Sequence, residues 1–305
     1  MSALAAIALL IGGLAIVIAG AEVFFEGLLA GAARLRVSAF SLSLVISGFE
    51  LENLAAGVAA NAKGLPGTAA GTFLGGTVFL ALGVTGIAAA IAPIRAKLPG
   101  RFLTWLLIAP LPLLLLSVDA DLSRLDGIVL VVWFVVALVG MTRAARGAGA
   151  ELDPPRARRR PLLRIVGGLG ALTAGGVVLG DGIRRAVSDL GVSQTLLGNT
   201  AIAASVQAEE VGRVAVPSRR GRGDVAVANI AGTIVHFAAF NAGVIALVRP
   251  LPLDATTLHL YLPASVAATA VLVAALWLGR GVDRVTGAVM LLLYIAFVAA
   301  AVAVS

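Results

Sequence analysis

The sequence contains no cysteine, only two histidines and few charged residues, and each shortage excludes a class of protein. Without cysteine there is no disulfide framework, no thiolate chemistry and no cysteine-ligated metal site. The two histidines, His236 and His259, are too few and too far apart for a zinc motif. Charged residues make up 13% of the 305 residues and apolar residues 60%, against about 25% and about 45–50% in globular proteins. A soluble fold cannot bury so much apolar surface, so the composition predicts an integral membrane protein.

Stretches without Asp, Glu, Lys or Arg predict the transmembrane helices. Because a helix needs about 20 residues to cross the hydrocarbon core, the shorter stretches must be completed by neighbours that include charged residues. We therefore expect ten transmembrane helices, some with ionisable groups inside the bilayer. The uncharged stretches are 2–21, 37–49, 64–94, 102–118, 127–142, 165–180, 190–208, 225–248, 255–279 and 285–305.

The basic residues lie mostly on one side of the predicted membrane. The loops after spans one, three, five, seven and nine carry 18 of the 23 Lys and Arg residues, with Arg213 assigned to the loop after span seven, and the opposite loops carry five. The positive-inside rule therefore predicts that the first set is cytoplasmic and that both termini are extracellular, in a multi-pass protein of the cell membrane. The arginine-rich segment 147–163 is expected to be a cytoplasmic linker. The net charge of +7 then reflects topology, and no nucleic-acid partner is expected.

A short sequence pattern recurs in the two halves of the chain. The dipeptide Val-Ser at residues 37–38, near the start of span two, recurs at residues 192–193, near the start of span seven. With five spans in each half, the second half must enter the membrane from the opposite side. The pattern therefore predicts an all-α membrane protein with two inverted five-helix repeats, residues 1–146 and 164–305, and a substrate site near the midplane where the repeats meet.

Four acidic residues are predicted to lie deep in the membrane, two in each half. Glu50 and Glu52 belong to span two, and Glu209 and Glu210 belong to span seven. An acidic residue at the centre of a membrane helix costs about 2.5–3.5 kcal/mol, and such residues usually face a bundle interior or an ion path. The four carboxylates therefore indicate a cation site.

These features resemble the calcium/cation antiporter superfamily, and the size and layout are most similar to the prokaryotic sodium/calcium exchangers. In that family each half has a Gly-Thr-Ser-Leu-Pro-Glu signature on its second helix and a Gly-Asn-x-x-Gly-Ser-x-x-x-Asn/Asp signature on its third. The first signature falls on residues 48–53, where Gly and Leu match, and on residues 205–210, where the Glu matches. The step to the next signature is 19 residues in both halves and reaches Thr72 and Asn229.

The resemblance implies a secondary active antiporter that exchanges a divalent cation, Ca²⁺ in the family, for Na⁺ or H⁺ by alternating access. It implies no enzyme activity and no bound cofactor, and the glycine-rich stretch 64–76 lacks the Gly-Lys-Ser/Thr of a nucleotide site. Three family ligands are replaced, by Asn53, Leu80 and Phe237. The alternative is therefore a degenerate member that exchanges other cations or protons, forms a passive pathway or acts as a membrane scaffold. The oligomeric state is left open.

Oxygen-bearing side chains around the signatures form the candidate cation site. Glu210 is the central candidate because it matches the ligand Glu of the family. The candidate ligands are Glu50, Asn53, Glu210, Glu209, Gln207, Glu52, Thr72, Asn229, Ser47 and Ser205.

Helical spacing leaves other interpretations open for the acidic residues. Arg213 follows Glu210 by three residues and Glu209 by four, so either carboxylate can form an ion pair with it. Glu50 and Glu52 are two residues apart and cannot both face one site on an unbroken helix. A break near Ser47-Gly48 would relax that restriction.

Three polar residues outside the signatures have open roles. His236 either relays protons or packs as a hydrogen-bonded core residue. Glu22 and Glu26 lie toward the end of the first helix, where they either guard an ion entry or form stabilising ion pairs.

Overall fold

The computed structural model describes residues 3–47, 51–145, 160–188, 208–279 and 281–304, and it is almost wholly helical. The α-helices of the first half are α1 (Ala3–Leu35), α2 (Ala39–Ile46), α3 (Leu51–Ala62), α4 (Pro66–Val78), α5 (Thr85–Ile91), α6 (Gly100–Ile108), α7 (Leu111–Leu116) and α8 (Arg124–Ala145). Those of the second half are α9 (Pro161–Ser188), α10 (208–219), α11 (Gly223–Val235), α12 (Ala242–Val248), α13 (Leu262–Gly279) and α14 (Arg284–Ala303). Three π-helical segments are π1 (Phe79–Val84), π2 (His236–Asn241) and π3 (Thr257–Tyr261), and four two-residue strands are β1 (Ile94–Arg95), β2 (Asp121–Leu122), β3 (Leu251–Pro252) and β4 (Gly281–Val282).

Seven of the described helices are long and apolar enough to cross a membrane. Two of them, α8 and α14, carry large apolar side chains on the outside: Leu125 is 68% exposed and Leu292 is 65% exposed. Apolar side chains on the outer surface of a long helix are suited to lipid and not to water. The seven helices are Ala5–Leu35, Pro66–Ile91, Arg124–Ala145, Pro161–Ile183, Gly223–Val248, Thr257–Gly279 and Arg284–Ala303.

Of the other three predicted spans, one coincides with a shorter apolar helix and two extend into residues outside the described ranges. α6 and α7 are separated at Ala109-Pro110. Together they form an apolar stretch that covers only Gly100–Leu116. α2 ends at Ile46, α3 is described from Leu51 onward and α10 is described from residue 208 onward. The all-helical membrane architecture is therefore confirmed, whereas the count of ten spans stays a prediction.

Equivalent elements follow one another in the same order in the two halves. An offset of 157 residues relates the first residues of α4 and α11, of π1 and π2, and of β1 and β3. The same offset relates Thr72 to Asn229, as the signature spacing indicates. In both halves the third helix is deeply buried and changes from α- to π-helical hydrogen bonding at the equivalent place. Such π-helical insertions occur frequently at functional sites.

The halves contact each other through reciprocal pairs of elements. β1 pairs antiparallel with β4, and β2 pairs antiparallel with β3. α5 packs on α14 where Gly86 meets Gly287, and α8 packs on α12 where Gly127 meets Gly243. Glycine at these crossings lets the two backbones approach closely. Each pair joins one half to the other, and the larger hydrophobic core contains residues of both halves.

α1 and α9 pack antiparallel through glycines that recur every seven residues. Each glycine lies against the backbone of a large apolar residue on the other helix: Gly20 faces Leu172, and Gly175 faces Val17. A Cβ atom at Gly20 would lie 2.8 Å from the backbone nitrogen of Leu172. The glycines of this contact are Gly13, Gly20 and Gly27 on α1 and Gly168, Gly175 and Gly182 on α9.

The α1–α9 contact predicts a position-dependent effect of filling a glycine. We expect Gly20→Leu to lower stability by about 1–3 kcal/mol, because overpacking displaces the helices. Gly12→Leu on the same helix is the matched control, since no atom lies within 4 Å of a Cβ built there. The melting temperatures of the purified variants in detergent measure the difference. Equal melting temperatures for the two variants would contradict this packing.

Candidate cation site

The candidate site lies where α2 ends, against α10 and α11 of the other half. α2 ends at Ile46 with Ser47 as its C-cap, and α3 begins at Leu51. The last carbonyl groups of a helix have no partner within the helix and carry a partial negative charge. A helix that ends inside the protein therefore presents oxygen atoms to a buried site, as the broken helices of transporters do.

Arg213 links both acidic residues of α10. Its Nη1 lies 2.7 Å from Oε1 of Glu210, and its Nη2 bonds to Oε1 of Glu209. The three residues are buried, with 7% of Arg213, 8% of Glu209 and 4% of Glu210 exposed. Both ion pairs that the spacing allows are therefore present together. The sorting of basic residues assigned Arg213 to a loop, and this assignment is wrong. Arg213 lies inside α10, where two carboxylates within one turn offset its positive charge.

Neutral donors from two helices, α9 and α11, complete the hydrogen bonding of the carboxylates. Asn229 of α11 donates through Nδ2 to Oε2 of Glu210 at 3.3 Å. Thr173 of α9 donates through its hydroxyl to Oε2 of Glu209 at 3.1 Å. Both oxygens of each carboxylate thus have a partner, as buried charges require.

The carbonyl oxygen of Ser47 joins the two halves. The Thr233 hydroxyl donates to it at 3.1 Å, and Nη1 of Arg213 donates to it at 3.4 Å. Gly232 makes this approach possible, because a Cβ there would overlap the Leu44 carbonyl oxygen and the Ser47 hydroxyl. The glycine of this signature is therefore required by the contact between α2 and α11.

Two further buried oxygens in the site have no hydrogen-bond partner among the described residues, namely Ser47 Oγ and Asn229 Oδ1. An unsatisfied buried oxygen costs about 1–3 kcal/mol, so such atoms call for an explanation. A bound cation is one kind of partner that satisfies buried oxygens. Within the described ranges no three His, Cys, Asp or Glu side chains cluster together, so hydroxyl, amide and carbonyl oxygens would have to complete the coordination of a cation.

The first-half candidates lie on α3 and α4. Glu52 is exposed at the start of α3, and Asn53 is partly buried beside it. Thr72 donates its hydroxyl to Ala69 within α4 and faces Gly57 of α3, whose Cβ would lie 2.8 Å from its hydroxyl oxygen. No hydrogen bond between described residues links these side chains to the carboxylates of α10.

Of the ten candidates, the structure brings together four, which are Ser47, Glu209, Glu210 and Asn229. Three others, Glu50, Ser205 and Gln207, lie outside the described residues and stay predictions. Sequence reasoning missed Thr173, because nothing in its neighbourhood marks a hydroxyl that bonds to a residue of another helix.

The contacts of His236 are those of a packing residue. Its Nδ1 lies 2.8 Å from the Gly232 carbonyl oxygen, and its ring stacks edge-on against Phe134 and Phe240 at centroid distances of 4.5 and 6.0 Å. Glu22 pairs with Arg220 at 2.6 Å, and Glu26 pairs with Arg164 at 2.8 Å.

A sequence profile of the sodium/calcium exchanger protein family matches residues 5–143 and 161–303. The chain belongs to the sodium/calcium exchanger family. It is therefore a multi-pass membrane cation antiporter and not an enzyme, as the resemblance implies.

Relatives of this exchanger-family protein cover most of its length. The predicted antiporter CaxA of Alkalimonas amylolytica is 28% identical over 303 residues, covering 93% of this chain and 95% of CaxA. The inner membrane protein YrbG of Escherichia coli K12 is 26% identical over 268 residues, covering 82% of each chain. The sodium–calcium exchanger NCX_Mj, soaked with zero Na⁺ and Ca²⁺, has a TM-score of 0.78 at 20% identity and covers 98% of this chain and 99% of its own. That likeness shows a shared fold.

The hydrogen bond from Thr233 to the Ser47 carbonyl leads to a prediction about removing the Thr233 hydroxyl. We expect Thr233→Val to destabilise the protein by about 1 kcal/mol, since the side chain keeps its shape but loses its hydrogen bond across the halves. Thr104→Val is the control, because that exposed hydroxyl bonds only within its own helix. Unfolding midpoints in an SDS titration compare the two. Equal midpoints would show that the Thr233 bond contributes nothing.

Proposed function

We propose that this protein exchanges a divalent cation, Ca²⁺, for Na⁺ or H⁺ across the cell membrane by alternating access. The proposal rests on the buried oxygens of Glu209, Glu210, Asn229 and Ser47, which meet at the end of a broken helix. Ca²⁺ binds through six to eight oxygens supplied by carboxylates, amides and carbonyls. The donor set is of that kind, and membership of the sodium/calcium exchanger family supports the assignment.

The remaining ligands come from the sequence. We include Glu50, Glu52, Asn53, Thr72, Gln207 and Ser205 because they fall on or next to the two signatures. Carboxylates that bind a divalent cation on one side can bind Na⁺ or a proton on the return, and this alternation couples the two fluxes.

We infer that residues 1–146 and 164–305 are inverted five-helix repeats and that the chain crosses the membrane ten times. The common 157-residue offset and the reciprocal pairing of β1 with β4 and of β2 with β3 support the repeat. An odd number of spans in each half gives the opposite orientation that alternating access uses, because the two halves can then exchange conformations.

We infer that both termini are extracellular and that the linker 147–163 is cytoplasmic. Of the 18 basic residues assigned to the cytoplasmic side, Arg213 is buried in α10, which leaves 17 against five. The bias stays strong enough for the positive-inside rule.

The absence of cysteine provides a direct test of this orientation. Arg34 and Lys63 are both exposed, and each lies on a different predicted side. In intact cells we expect Lys63→Cys to react with a membrane-impermeant maleimide and Arg34→Cys to react only after permeabilisation. The wild-type chain is the blank, since it has no thiol. The reverse labelling pattern would invert the proposed topology.

Purified protein in liposomes tests the exchange. Vesicles loaded with Na⁺, or with an acidic interior, are expected to take up ⁴⁵Ca²⁺ as the internal ion flows out. Glu210→Gln should reduce the initial rate at least about tenfold, because it removes a charged ligand at the centre of the site. Glu22→Gln, which breaks a peripheral ion pair instead, should retain the rate.

The two gradients separate Na⁺ coupling from H⁺ coupling. Uptake that ignores both gradients would contradict exchange, and uptake unaffected by Glu210→Gln would contradict the site. Equal uptake of other cations would favour a second function, a degenerate exchanger that does not select Ca²⁺. The observation in favour of that second function is that Arg213 holds both carboxylates of α10.

A further inference from the structure

We propose that the guanidinium of Arg213 is an internal cation that occupies the ion site, and that a transported cation binds by displacing it. This inference rests on the proposed function, because it concerns the same carboxylates. It makes Arg213 a specificity-determining residue, which sets how strongly a cation must bind to enter the site.

The acceptors of Arg213 are the atoms that a cation would use. Nη1 contacts Oε1 of Glu210 at 2.7 Å and the Ser47 carbonyl oxygen at 3.4 Å, while Nη2 contacts Oε1 of Glu209. A metal ion bound to these three oxygens and a guanidinium bonded to them exclude each other by volume. The two oxygens without a partner, Ser47 Oγ and Asn229 Oδ1, belong to the same residues. They are the part of the site that Arg213 leaves unsatisfied.

Charge opposes simultaneous binding as well. The three ionised side chains are buried together, and interactions between charges are much stronger there than in water. A divalent cation added beside an Arg213 that kept its place would meet a positive charge at short range. Like charges brought together in a desolvated site are strongly unfavourable, so the guanidinium has to move away.

The repeat indicates that this arginine is not required by helix packing. With the offset of 157 residues, the position equivalent to Arg213 in the first half is Ala56, which is exposed on α3. The two halves therefore build equivalent helices with and without a cation at this position. The asymmetry places the added charge only beside the acidic pair of α10.

Phe24 is a second partner of the Arg213 guanidinium, in addition to the carboxylates. Its ring lies on α1 with the centroid 5.8 Å from Cζ of Arg213. An aromatic face within about 6 Å attracts a guanidinium, most strongly where water is excluded. Arg213 can therefore release the carboxylates while it keeps a favourable contact.

Equilibrium binding of ⁴⁵Ca²⁺ to the full-length protein in detergent tests the inference. Arg213→Gln removes the charge and keeps a polar side chain, and we expect its Kd for Ca²⁺ to be at least about tenfold lower than that of the wild type. Arg213→Lys keeps the charge and should bind Ca²⁺ nearly as weakly as the wild type. Arg220→Gln, which breaks the exposed pair with Glu22, is the matched control and should leave the Kd unchanged.

An unchanged or higher Kd in a monodisperse Arg213→Gln protein overturns the inference and leaves Arg213 as a positioning residue. If Arg213→Gln does not fold, Glu209→Gln is compared with Glu209→Gln/Arg213→Gln, which returns the site to the wild-type net charge. The double variant should then bind Ca²⁺ more tightly than the single variant, and equal or weaker binding overturns the inference.

The results distinguish a failure of the proposed function from a failure of this inference. Loss of gradient-driven uptake, together with the expected change in Kd, would contradict exchange but not the role of Arg213. Normal exchange with an unchanged Kd would contradict the role of Arg213 but not exchange. Binding of Ca²⁺ by neither the wild type nor the variants overturns both.

Discussion

The burial of ionised side chains inside a membrane protein is the constraint on which the site depends. Removing an ion from water costs several kcal/mol even after relaxation, and the cost is offset only if partners surround the charge. Arg213 offsets part of the negative charge of Glu209 and Glu210 within a single turn of α10, but the remaining donors and acceptors of the three side chains need groups from elsewhere. Helices α1, α2, α9 and α11 supply those groups. The charges of α10 therefore determine which helices meet around it.

The sequence predicts the local part of this network and not the long-range part. Pairing of Arg213 with Glu209 and Glu210 follows from helical spacing alone, because residues three and four apart share a face. The bond from Thr173 to Glu209 and the bond from Thr233 to Ser47 join helices that are far apart in the chain. Those bonds depend on how the helices pack, and no periodicity in a single segment encodes that.

The seven long apolar helices could be predicted for a similar physical reason, and the error in the assignment of charges has a physical reason too. Long uncharged stretches predict spans well because lipid admits little else, and all seven long helices coincide with predicted stretches. The same method treats each charge as a helix end, and it therefore assigned Arg213 to a loop. A charged residue with an oppositely charged partner one turn away can be buried. Ion pairs such as Glu210 and Arg213 therefore need to be identified before the transmembrane spans are assigned.

Replacement of family ligands by apolar residues also has a structural counterpart. Phe237 lies in the π-helical segment of the second half, and its ring lies against Gly76 on α4, where a Cβ would come within 2.5 Å of it. A side chain of that size fills the contact between the halves. The oxygen that the family places there is replaced by packing, so in the second half the polar part of the site is concentrated at α10 and at Asn229 and Thr233 of α11.

The seven-residue spacing of glycines between α1 and α9 has a consequence for assembly. A shift of one helix along the other by seven residues, about 10.5 Å, again sets glycines opposite large apolar residues, so apolar packing alone distinguishes poorly between these alignments. The ion pair between Glu26 and Arg164, at 2.8 Å, exists in one alignment only. This ion pair between described residues thus favours one register among several that the glycines would accept.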